Sequence, residues 1–104
     1  MEILKQIESL KLLPVIKLDS SENAAPLAEA LIAGGLPAAE VTFRTDAAED
    51  SIKIMTQKYP EMLTGAGTIT SVDQAERAMA AGASFLVTAG FNRKVTEYAV
   101  ANHI

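Results

Sequence analysis

Apolar positions along this chain switch repeatedly between helical and extended spacing. Residues 2–11 place Ile3, Leu4, Ile7 and Leu10 on one helical face, which predicts a short leading helix. Residues 12–18, Leu-Leu-Pro-Val-Ile-Lys-Leu, read as a buried strand, although Pro14 has no amide to give to a ladder. Ser20 or Ser21 then caps a helix, with Glu22 suited to its first turn. That helix carries Ala24, Leu27, Ala28 and Leu31 and stops at Gly34-Gly35.

The alternation continues to the end of the chain. A second strand is expected over 38–44, and Thr45-Asp46 offers the cap of a helix over 47–58, closed by Pro60. A third strand over 61–66 runs into Gly65-Ala66-Gly67-Thr68. Thr70 or Ser71 caps the next helix, with Val72, Ala75, Ala78 and Met79 inward and Gly82 at its end. A fourth strand over 83–88, a turn at Ala89-Gly90 and a helix over 92–102 complete the pattern.

The result is a leading helix followed by four strand–helix units in a single domain, 1–104. Parallel strands need crossovers of this kind, usually helical. Ala33-Gly34-Gly35 and Ala80-Ala81-Gly82-Ala83, each before a strand, suggest one supersecondary unit used again. The fold class is therefore α/β with parallel (β/α) units. Two architectures accept four units: an open doubly wound sheet, or the N-terminal half of a TIM-type (β/α)8 barrel.

Composition removes several kinds of chemistry. Hydrophobic residues make up 49% and charged residues 21%, enough for a packed core. Without cysteine there is no disulfide, thiol nucleophile or thiolate metal site. The one histidine, His103, sits beside the last residue and reads as solvated, so no metal site or Ser-His-Asp triad is expected. A net charge of −4, no Trp and no basic stripe argue against a nucleic-acid partner. No apolar run approaches the roughly 20 residues of a membrane span. The first residues lack the basic-then-apolar pattern of a secretory signal, so the expected location is cytoplasmic.

Candidate chemistry lies on the strands. In Glu40-Val41-Thr42-Phe43-Arg44-Thr45 the pleat places Glu40, Thr42 and Arg44 on one face and Val41 and Phe43 on the other. A buried unpaired charge is costly, so this polar face needs a reason. One reason is an edge strand with Glu40 and Arg44 solvated. The other is a site in which Glu40 moves protons, Arg44 grips a carboxylate, and their pairing keeps Glu40 ionised.

Lys17 ends the first strand on the side where parallel sheets bind ligands, though a solvated strand-end lysine is the plainer explanation. Gly65-Ala66-Gly67-Thr68 would let backbone approach a ligand and presents a hydroxyl, or is simply a turn. It is not a dinucleotide fingerprint, because Thr70 stands where a third glycine would be. Thr88-Ala89-Gly90 reads as a turn, Met55, Met62 and Met79 as core, and Asp46, Glu49 and Asp50 as a favourable helix start rather than a metal site.

Taken together, Leu13-Pro14-Val15-Ile16, Ala33-Gly34-Gly35, Glu40-Val41-Thr42-Phe43-Arg44-Thr45, Gly65-Ala66-Gly67-Thr68 and Ala81-Gly82-Ala83 resemble the N-terminal half of the 2-keto-3-deoxy-6-phosphogluconate / 4-hydroxy-2-oxoglutarate aldolases. The resemblance covers essentially the whole chain. It implies a (β/α)8 barrel, a homotrimer, and a class I Schiff-base mechanism on a small keto acid with neither metal nor cofactor. It implies that Glu40 is the acid/base, that Arg44 and Thr68 bind the pyruvate carboxylate, and, less directly, that Lys17 lies near the substrate.

Thr88-Ala89-Gly90 departs from the Ser-Pro-Gly common in the family. The family's Schiff-base lysine belongs to the sixth strand, beyond Ile104, so the 104-residue chain alone is expected to be inactive. A non-catalytic half-barrel assembly domain is the alternative, since a half barrel leaves sheet edges open.

Overall fold

In a computed structural model, which describes residues 2–104, the chain forms a parallel sheet covered on one face by helices. Met1, part of the expected 1–104 domain, lies outside the described residues. In chain order the elements are α1 (Glu2–Leu10), β1 (Val15–Ile16), a 3-10 turn (Ser21–Asn23), α2 (Ala24–Ala33), β2 (Ala38–Thr42), α3 (Ala48–Lys58), β3 (Leu63–Gly67), α4 (Val72–Ala80) and α5 (Arg93–Ala101). The three strands lie side by side in the order β1-β2-β3, all parallel.

The first strand is shorter than its apolar run suggests. Only Val15 and Ile16 pair with β2, and the Pro14 carbonyl accepts from the Glu40 amide at 2.8 Å. Leu12 and Val15 are 67% and 66% exposed, so this is an outer strand and not a buried one. The fourth predicted strand is reduced to a single bridge between Ala66 and Leu86. Backbone bonds still hold it beside β3: Ser84 donates to Thr64, Ala66 to Phe85, and Val87 to Ala66, at 2.8–3.0 Å.

Caps fall where side chains reach orphan amides. Ser20 accepts from Glu22 and opens the 3-10 turn ahead of α2. Ser71, not Thr70, caps α4, and Asn92 caps α5 by accepting from the Val95 amide. The expected Thr45-Asp46 cap of α3 does not form: Ala47 holds that position without a side-chain bond. Thr45 instead donates its hydroxyl to the Leu18 carbonyl, which ties the segment after β1 to the one after β2.

The core lies between the sheet and its helices. Ala39, Val41 and Ala66 of the strands meet Ala24, Ala28, Ala48, Ile52, Met55, Ala75 and Ala78 of the helices. Small residues on both sides let helix backbones settle on the sheet, while Ile52, Met55 and Ile69 fill the remaining volume. Deleting a side chain such as Ile52 would cost about 2–5 kcal/mol. The leading helix has an apolar side, but none of its residues is fully buried, and Leu4 is 60% exposed.

Candidate functional site

The position of β2 decides how its polar face must be understood. β2 is the middle strand, and all five of its residues are buried, Glu40 at 7% and Thr42 at 4% exposure. The edge-strand explanation for Glu40 therefore fails. Val41 faces the helices, so Glu40 and Thr42 occupy the opposite face. Val15, in register with Glu40, emerges exposed on that same face.

Thr42 is satisfied by donating its hydroxyl to the Ile16 carbonyl at 3.1 Å, which also braces β1 against β2. Glu40 has no ion-pair partner among the described residues. Burial pushes its carboxyl above the ordinary value. The expected pairing with Arg44 is not formed. β2 ends at Thr42, so Phe43 and Arg44 turn toward α3 and leave the alternation of the strand. Arg44 is exposed and lines a polar cavity of about 170 Å³ with Glu49, Gln74 and Arg77. Arg77 is itself held there by Glu49 at 2.7 Å and Asp73 at 3.6 Å.

The glycines of β3 serve a purpose other than the one expected. Gly65 is in register with Glu40, and Gly67 with Thr42. The space above Gly65 is filled by the Phe85 ring, and the space above Gly67 by the Glu40 side chain. Both glycines therefore admit the protein's own side chains. This pairing was not legible as a motif; the only signal was two glycines at alternate positions on a strand neighbouring one with a buried acid.

Lys17, Arg44 and Thr68 all follow the C-terminal ends of consecutive strands. Lys17 is half-exposed and forms an ion pair with Asp19 at 3.5 Å. Thr68 has a φ of 55°, a left-handed conformation that strains a β-branched residue. These strand ends are the side on which parallel β/α proteins bind ligands. Among the described residues no group of three acidic or histidine side chains gathers as a metal site would.

Comparisons with known proteins bear on the fold and the family. The family described as "Aldolase: KDPG and KHG aldolase" matches residues 3–104. The 2-dehydro-3-deoxy-phosphogluconate aldolase of Treponema pallidum is 42% identical over 102 residues, 98% of this chain and 49% of that protein. The crystal structure of 2-keto-3-deoxy-6-phospho-gluconate aldolase from Zymomonas mobilis superimposes with a TM-score of 0.84 at 38% identity, over 93% of this chain and 48% of that one. The KDPG aldolase of Legionella pneumophila, determined with pyruvate captured as a covalent carbinolamine, gives 0.76 at 41% identity, over 80% of this chain and 40% of that one.

The chain thus spans about half the length of the curated relatives it matches. Its parallel sheet and covering helices correspond to about half of their TIM-type barrel. On sequence and fold together, the chain belongs to the KDPG and KHG aldolase family.

Proposed function

We propose that the protein carrying these β/α units is a class I aldolase. It cleaves 2-keto-3-deoxy-6-phosphogluconate, 4-hydroxy-2-oxoglutarate or both to pyruvate and an aldehyde. The observation that carries this reading is Glu40: an acid buried without an ion-pair partner among the described residues, on the face of a central strand turned away from the helices, with its carboxyl pushed above the ordinary value by that burial.

In this reading the amine that forms the imine comes from a later strand of the barrel. Glu40 exchanges the protons of carbinolamine formation and of carbon–carbon cleavage. Arg44 and Thr68 hold the carboxylate of the keto acid, with Lys17 close by. For Arg44 this requires its side chain to leave the polar cavity beside α3 and α4 when substrate binds. Neither metal nor cofactor enters the scheme. The family reading also carries a cytoplasmic location and a homotrimer, and light scattering on the complete protein tests the trimer.

The deciding experiment measures pyruvate release by coupling to lactate dehydrogenase. In the complete protein, Glu40→Gln is expected to lower kcat by about 10²–10⁴-fold. Unchanged turnover removes Glu40 from the chemistry. Arg44→Ala is expected to raise KM for the keto acid.

A second reading is a half-barrel assembly domain without catalysis of its own. Among the described residues the outer strand β1 pairs only with β2 and leaves a sheet edge open to a partner, which favours it. Folded chain that neither oligomerises nor associates with a second half would end that reading.

A further inference from the structure

We propose that Gly67 is a positioning residue: by having no side chain, it provides the seat that fixes where the Glu40 carboxylate sits. A Cβ added at Gly67 would overlap the Glu40 carboxylate, with Cδ 2.6 Å and Cγ 2.9 Å away. All three nearest atoms belong to Glu40, and none is backbone. Gly67 is not among the glycines with positive φ, which are Gly35 and Gly82. The backbone there accepts alanine, and glycine inside a strand is locally unfavourable. What glycine supplies at this position is room.

The seat also has a direction. Glu40 is in register with Gly65, yet its carboxylate lies over Gly67, two residues further along β3. The side chain therefore leans toward the C-terminal strand ends, where Lys17 and Thr68 follow β1 and β3. It cannot fall back over Gly65, because the Phe85 ring fills that space. A methyl group at position 67 would remove the forward seat while Phe85 blocks the retreat. Glu40 would swing off the sheet into the interior and become solvated.

The activity arm of the test rests on the aldolase reading above; the titration arm does not. In the complete protein, Gly67→Ala is expected to fold, to lose at least ten-fold in kcat with KM little changed, and to bring the Glu40 titration, followed by carboxyl ¹³C NMR, down toward an ordinary glutamate. In a Glu40→Gln background the same substitution should cost no further activity. An unmoved titration, or a loss that persists undiminished in the Glu40→Gln background, overturns the proposal. If Gly67→Ala does not fold, Glu40→Ala added to it should restore folding, and failure to do so also overturns the seat. Absence of pyruvate release from the unsubstituted protein would defeat the aldolase reading while leaving the titration to decide the role of Gly67.

Discussion

The Thr56 hydroxyl donates a 2.7 Å hydrogen bond to the carbonyl of Ala81, where α4 ends. This bond ties α3 to the turn that feeds the fourth strand segment. It also closes the space above Gly82, where an added Cβ would lie 2.6 Å from Thr56 Oγ1 and 2.9 Å from its Cβ. Gly82 has a φ of 104°, a conformation that side chains rarely adopt. Gly82→Ala is therefore expected to destabilise the protein by more than about 1 kcal/mol. Urea unfolding checks this, and an unchanged midpoint would mean that the turn relaxes freely.

The core contains two hydroxyls without a partner among the described residues, those of Ser51 and Thr64. Thr64 is 1% exposed. A buried unpaired hydroxyl costs about 1–3 kcal/mol, and valine has nearly the same shape. Thr64→Val is expected to raise stability by about 1 kcal/mol. A fall in the unfolding midpoint would show that the hydroxyl is satisfied in solution.

Burial of Glu40 also makes a prediction about pH. Its carboxyl titrates higher in the fold than in the unfolded chain. Below the unfolded value both states are protonated and no charge is buried. As pH rises through the folded value, the fold must hold an unpaired carboxylate and loses stability relative to the unfolded chain. Glu40→Gln is expected to remove this loss, so its stability gain should be larger at neutral pH than at acid pH. A gain that is the same at both ends would contradict the shift. For catalysis, the limb of the rate profile that reports the ionised base should lie above the range of an ordinary glutamate.

Arg77 binds Glu49 and Asp73 and lies 6.0 Å above the Phe43 ring, yet its side chain is 51% exposed. Solvent screens such pairs. Arg77→Ala is expected to lower the unfolding midpoint only slightly, with a smaller effect in high salt. A larger loss, insensitive to salt, would assign Arg77 a packing role.

Much of the architecture was legible from local pattern. The helices, a cap of α4 at Thr70 or Ser71 and the order of strand and helix follow from periodicity and short-range hydrogen bonding. Several local readings were overruled, among them the fourth strand, which is reduced to a single bridge. The run over 12–18 pairs only at Val15 and Ile16, because an outer strand has one neighbour and Pro14 cannot donate. Thr45 gave up its capping role for the Leu18 carbonyl, a partner on another loop. The alternation of β2 was extended too far, and with it Arg44 was placed on the face of Glu40.

By itself, the sequence determined that the chain is a succession of parallel β/α units with an acid on the polar face of one strand. Those properties depend on spacing within a few residues. Tertiary structure alone decided that β2 is central, that Glu40 is buried without Arg44, and that Gly67 gives its carboxylate a seat. The reason is register. Gly67 meets Glu40 only because β3 is set against β2 by the helices that connect and cover them, and that alignment is a property of packing between distant segments.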